Sequence, residues 1–292
     1  MDQPTTVKPS LLVRITQFAP LRLLVLGGIL FLFMGVSSGV MEKFAGQPVL
    51  ATVAAAVMAG LGVAIYAAFV RLIERRPVSE LSLAPLVREL GIGLLIGAGL
   101  YTASVLVLMA LGIYRIVGFN PVSFMVPAIG MALSSGFFEE LLFRGALFRI
   151  VEEMFGSWIS LVVSSLVFGL LHLLNPAATL TGAIFISIEA GVLLAAGYMV
   201  TRRLWLSIGF HVAWNYTQQG VFSGIVSGNA PVPGLIKPII QGPDALTGGS
   251  FGLESSLVAF LFCTTAGVIL LILSVRRGNV VAPFWKRRTT AS

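Results

Sequence analysis

The chain has 292 residues, of which 57% are hydrophobic and only 11% charged, with a mean hydropathy of +0.97. Soluble domains carry about 25% charged residues, so this composition excludes an ordinary water-soluble enzyme and points to a polytopic membrane protein with one membrane domain. The net charge of +7 is read as a topology signal, not as a nucleic-acid footprint.

In chain order, eight apolar segments are long enough, or nearly so, to span a bilayer: 23–40, 49–70, 90–114, 122–150, 157–174, 180–200, 204–222 and 255–275. Each is closed by charges, Pro or Gly. The first is too long for a signal core and lacks a small-residue cleavage site before Met41-Glu42-Lys43, so it reads as a retained span. The stretch 71–89, with Arg75-Arg76-Pro77 and Glu80, reads as a short interfacial connector. Gly93 and Gly97 form a G-x-x-x-G in the third segment, a pattern of close helix packing. The single cysteine, Cys263, reads as a small buried hydrophobe.

Charge placement tests the topology. With the N-terminus inside, 16 of the 19 basic residues fall on inner segments, from Lys8, Arg14 and Arg22 to Arg287 and Arg288. Only Lys43, Arg115 and Lys237 fall outside. This positive-inside pattern predicts an all-α, polytopic membrane helical bundle of about eight transmembrane helices, with both termini cytoplasmic, in the cell membrane. The expected organisation is a cytoplasmic segment 1–22, a membrane domain 23–275, an outer Gly/Pro-rich loop 223–254, partly re-entrant, and a basic tail 276–292.

Titratable groups inside apolar helices are costly and persist where they face a cavity or a partner. Three places stand out. In Phe137-Phe138-Glu139-Glu140-Leu141-Leu142-Phe143-Arg144, Glu140 and Arg144 are four apart and can pair, while Glu139 points about 100° away and is left to face a cavity. His172, four residues after Phe168, lies near the end of the fifth segment. His211 and Asn215 share one face of the seventh, and two hydrogen-bonding groups so placed could donate to an oxyanion. A helix-end charge cluster and an interhelical hydrogen-bond pair are the bland alternatives.

The turn at Gly156-Ser157 provides a ruler. Glu139 is 17 residues before Gly156 and His172 is 15 after Ser157, so both lie roughly 22–26 Å from the turn and come out level in an antiparallel hairpin. Glu189, in the middle of the sixth segment, has no helix partner in the pattern. Arg202, Ser187 and His211 are its candidate partners, and a supporting role is expected.

Glu-Glu-x-x-x-Arg, Phe-x-x-x-His and His-x-x-x-Asn, in this order on successive membrane helices, resemble the CPBP family of intramembrane proteases. That group comprises the type II CAAX prenyl endopeptidases and the bacteriocin-processing and lysostaphin-resistance-like proteins. The matching region, about 120–220, is expected to be the catalytic core. The resemblance implies that Glu139 and His172 activate a water for attack on a peptide carbonyl. It implies that His211 and Asn215 stabilise the oxyanion, and that Glu140 and Arg144 hold the acidic helix. The implied substrate is a membrane-associated peptide, prenylated or signal-like, with the bilayer and not nucleic acid as the other partner. No cofactor is expected. The alternative is a zinc-dependent form with Glu139, His172 and His211 as ligands, as in His₂Glu peptidases, although His-Glu-x-x-His is absent. A non-catalytic membrane immunity or scaffold protein and a proton-coupled transporter are the competing classes. The complete motifs speak against the first, and the absence of an inverted repeat against the second.

Overall fold

The computed structural model describes residues 15–287; the expectations placed on Lys8, Arg14 and Arg288 lie outside them. Among the described residues ten helices and one two-stranded sheet are used below. Helix α1 (Ala19–Lys43) and α2 (Pro48–Leu72) start with Pro in their first turn, where a missing N–H costs nothing. Helix α3 is Leu86–Ala110. Helix α4 (Val126–Glu140) runs on through a π-helical stretch, Leu141–Phe148, into α5 (Arg149–Leu171). Helix α6 (Leu180–Ile186) is capped by the Thr179 hydroxyl and passes through a π turn, Ser187–Gly191, into α7 (Val192–Thr201). Helix α8 (Trp205–Tyr216) ends in a third π turn, Thr217–Val221. Helix α9 (Asp244–Thr247) is a single turn, and α10 (Leu257–Arg276) is capped by Ser256.

Six helical stretches are long and apolar enough to cross a membrane, among them Val122–Leu174 as one run of 53 residues. The predicted fourth and fifth spans both lie in that run. Gly156, at φ 80° and ψ 171°, breaks it and turns α5 back along α4. A side chain is barred there twice: by the positive φ, and by Val281 and Pro283, whose backbone atoms would lie 2.7 Å from a Cβ. The predicted seventh span is α8 with its π turn, which is too short to join the six. The all-α bundle is thus the architecture, with this difference in span count.

Two further differences concern the third segment and the loop. The helical part of the third ends at Ala110, and Tyr114–Phe119 is a strand (β1), which pairs antiparallel with Ile236–Ile240 (β2) through a bulge between Ile116 and Gly118. The Gly/Pro-rich loop is therefore anchored by a ladder and folds back over the bundle. Its Val226, Ser227 and Asn229 reach the interior cavity.

Packing follows the sequence in detail at α3 and α8. Added Cβ atoms at Gly93 and Gly97 would run into the backbone of Leu206 and Phe210, so the G-x-x-x-G is the surface on which α8, carrying His211, is seated. Outward faces are lipid-like: Leu24 and Leu32 on α1 are 73% and 71% exposed, and Leu261 on α10 is 64% exposed.

The end of the bundle that carries most basic residues is a charge network. Arg149 pairs with Glu74 at 2.8 Å and with Glu153 at 3.0 Å, Arg76 joins Glu74 (2.8 Å) and Glu80 (2.7 Å), and Arg22 reaches Glu74 (3.4 Å) and Glu153. Arg202 pairs with Glu152 and Arg203 with Glu89. The connector after α2 is part of this network: Glu80 is buried, and its carbonyl accepts from Leu204 N at 3.0 Å. Arg202 is thereby spoken for, which corrects its candidacy as a partner of Glu189. Arg144, counted among the inner basic residues, is instead fully buried within the bundle.

Candidate active site

A cavity of about 340 Å³ lies inside the bundle. Its wall carries Glu139 from α4, Phe168 and His172 from α5 and its end, Glu189 from the π turn, His211 and Asn215 from α8, and Glu254 from just before α10. The residues singled out in the sequence, which are up to 76 positions apart, are thus gathered in one place or directly behind it.

Glu139 is the centre. Its Oε2 lies 3.9 Å from His172 Nε2 and 3.8 Å from His211 Nε2, and no hydrogen bond reaches that oxygen. These gaps are too long for direct hydrogen bonds and match groups that share a third, small polar molecule. The level placement expected for Glu139 and His172 is observed. His211 stands as close to Glu139 as His172 does.

Each imidazole is held from behind. His172 Nδ1 is 2.7 Å from the Phe168 carbonyl, and His211 Nδ1 is 3.0 Å from Glu140 Oε1. A carbonyl and an ion-paired carboxylate are acceptors only, so each Nδ1 carries the proton and each Nε2 faces Glu139. His211 Nε2 can then donate a hydrogen bond only as an imidazolium.

Glu140 is itself clamped. Arg144 Nη1 donates to its Oε1 at 2.8 Å, with both side chains fully buried, and Arg144 Nη2 donates to the Gly191 carbonyl at 3.1 Å. The π turn at 187–191 offsets its carbonyls from the α-helical ladder, and this guanidinium takes up two of them, Gly191 at 3.1 Å and Ala190 at 3.4 Å. The Arg144 guanidinium also lies 4.6 Å from the Phe168 ring, whose centroid is 4.7 Å from that of His172. Phe168 thus serves as an apolar cap on the buried charge, a contact worth about 2 kcal/mol when desolvated. A helix-end charge cluster is not what Glu140 and Arg144 form: they back the site.

Asn215 Nδ2 donates to the Ser135 hydroxyl at 2.8 Å. Ser135 escaped the sequence reading, although it stands one turn before Glu139 on the same helix face. Glu254 was also missed. It sat in a segment read as loop, and the signal was an acidic residue at the edge of an apolar run. It is buried, and its carboxylate accepts from Ser227 N. Burial pushes the Glu254 carboxyl up, against the hydrogen bond from Ser227.

Glu189 is 2% exposed, its Oε2 has no partner, and it faces the same cavity. Ser187 Oγ donates instead to the Ala183 carbonyl at 2.7 Å, so neither Ser187 nor Arg202 serves Glu189.

The alternative zinc ligands Glu139, His172 and His211 stand somewhat wider apart than a zinc ion holds its ligand atoms. Tetrahedral zinc with bonds of about 2.0–2.1 Å holds its ligand atoms roughly 3.4 Å apart. The Glu139 oxygen is 3.8 and 3.9 Å from the two nitrogens, and among the described residues no group of three His, Cys, Asp or Glu side chains is arranged to hold a metal ion.

Helices long and apolar enough for a bilayer, closed around a cavity with a carboxylate, two imidazoles and an amide, define a membrane-embedded protein with an interior polar site. Residues 121–217 match the family model of the type II CAAX prenyl endopeptidase Rce1-like proteins. The match covers a third of the chain and all three motifs, agrees with the CPBP resemblance, and supports a peptidase. Comparison of the chain with characterised proteins and with solved structures gave no match.

Proposed function

We propose that this protein is a metal-free intramembrane endopeptidase of the glutamic type, acting on a membrane-associated peptide. The observation that carries the reading is the placement of the Glu139 carboxylate oxygen between two imidazole Nε2 atoms, at 3.9 and 3.8 Å, in an interior cavity.

In this mechanism a water sits between Glu139 and His172 and is oriented by both. Glu139 takes its proton as the water oxygen adds to the carbonyl carbon of the scissile bond. The oxyanion is met by His211 Nε2–H, in an imidazolium balanced by Glu140, and by the Asn215 amide, which exchanges its bond to Ser135 for one to substrate. Glu139 then returns the proton to the amide nitrogen as the C–N bond breaks, leaving one new carboxylate and one new amine. Glu140 and Arg144 hold His211 and the π turn in place. We infer from the positive-inside pattern that both termini are cytoplasmic, and propose the cell membrane as the location.

The test is cleavage profiling by mass spectrometry with protein purified in detergent, comparing wild type with Glu139→Ala. Defined cuts that vanish in the variant support the reading, and cuts that persist overturn it. Metal content is measured on the same preparation. Stoichiometric zinc whose removal by chelator abolishes cleavage would overturn the metal-free mechanism.

A further inference from the structure

One buried group in the cavity is not used by the proposed chemistry. Glu189 is 2% exposed, makes no hydrogen bond through Oε2, and lines the same cavity as Glu139. Leaving a carboxylate buried and unmatched is among the larger penalties a fold can carry, so such a group marks a place where a ligand completes the set. Glu254, also 2% exposed, lines the cavity too, but it is held by Ser227 N. No lysine or arginine lines the cavity, and its wall mixes apolar side chains, Ile186, Leu194, Val226 and Cys263 among them, with neutral polar ones such as Asn175 and Asn229. The two imidazoles of the wall are turned to Glu139, and His211 is balanced by Glu140, so the wall does not already supply the cation that would neutralise Glu189. A metal ion is a poor candidate, since no group of three suitable side chains among the described residues is arranged for one. A long side chain with an apolar stem and a cationic head fits both the apolar walls and the carboxylates. In a low-dielectric pocket, Coulomb attraction favours that head over a neutral amide of similar size.

We propose that Glu189, with Glu254 in the same cavity, forms a specificity subsite for a lysine or arginine side chain of the peptide substrate. The proposal rests on the endopeptidase reading and names the substrate class for that site. Glu189 would bind and position the peptide so that its backbone carbonyl meets Glu139 and His172. It takes no part in the proton transfers.

The experiment separates the two claims by measuring binding apart from cleavage. The probes are amphipathic peptides in detergent micelles, identical except that one position, scanned along the chain, holds Lys, norleucine or Gln. Binding is measured on full-length Glu139→Ala protein, and cleavage on wild type. At one position, the Lys peptide is expected to bind about tenfold more tightly than the other two, and to be cleaved with about tenfold higher kcat/KM through a lower KM. Adding Glu189→Gln should bring both ratios to within about twofold of unity. If that variant does not fold, Glu189→Asp takes its place, and its shortened reach should lower the ratios about threefold. Norleucine or Gln peptides that match Lys at every position, or a Lys preference unmoved by the Glu189 substitutions, would overturn the subsite. Lys-selective binding without any cleavage would overturn the endopeptidase reading and leave the subsite standing.

Discussion

Two regions of this molecule use the same residue types to opposite ends. At the basic end, Glu74 receives Arg149, Arg76 and Arg22, and Glu80 receives Arg76 and the Tyr66 hydroxyl. In the cavity, Glu139 and Glu189 each have a buried oxygen with no partner. Multiply paired carboxylates are fixed, and what they contribute is the position of helices α1, α2, α5 and the connector. Unpaired carboxylates in an enclosed site are available to substrate. Between the two lies Glu140: its Oε1 is fixed by Arg144 and His211, its buried Oε2 has no partner, and through His211 it transmits order to the site.

The comparison can be broken at four points. The largest effect is expected in the cavity: Glu139→Ala and His172→Ala should each lower kcat by about 10³-fold or more, while the thermal midpoint in detergent stays close to wild type. An equal loss of stability would place Glu139 with the structural carboxylates. Next comes the paired end. Glu74→Ala takes one carboxylate from Arg149, Arg76 and Arg22, which keep Glu153 or Glu80 as partners, so the loss should lie below the cost, about 3–5 kcal/mol, of a buried pair broken from one side. Thermal unfolding should show this, with residual activity in whatever fraction folds. Glu140→Gln is intermediate in activity: it removes the charge behind His211 but keeps its shape, and activity should fall about 10–100-fold, while the fully buried Arg144 loses its counter-charge and stability should fall by up to about 3–5 kcal/mol. A Glu140→Gln protein of full activity would show that His211 needs no counter-charge.

The smallest effect is a pH dependence. Burial works against the charge of Glu80, yet hydrogen bonds from Arg76 and Tyr66 bring its carboxyl down to about 2 from 4.5. A depressed acid stabilises the fold above its unfolded value, and that contribution is lost as pH falls from about 4.5 toward 2. Wild type should therefore lose stability across this window, and Glu80→Gln should start lower and change less. Parallel curves for the two proteins would show that the Glu80 network contributes nothing.

Much of the site was legible in the sequence because helical periodicity fixes what one helix can present. The four-residue spacing paired Glu140 with Arg144, and counting from Gly156 placed Glu139 level with His172. Both follow from 3.6 residues per turn and a rise of 1.5 Å. The G-x-x-x-G marked a surface of close helix packing for the same reason, without naming α8 as the helix that occupies it. What a single helix does not encode is which neighbour it meets. Glu140 reaches His211 across 71 positions, Arg144 reaches the Gly191 carbonyl across 47, and Asn215 reaches Ser135 across 80. The π-helical turns at 141–148, 187–191 and 217–221 also break the periodicity on which such counting relies.

By itself, the sequence determined a membrane-embedded helical bundle and the set of polar residues placed inside it, because hydrocarbon tolerates no backbone left unpaired and few charges without purpose. Only the tertiary structure decided how those residues divide. It placed both histidines against Glu139, put Glu140 and Arg144 behind them, and left Glu189 in the cavity wall with an unpartnered oxygen. Pairing between distant side chains depends on helix rotation and lateral neighbours, which are set by packing across the whole bundle and by a loop folded back to close its cavity.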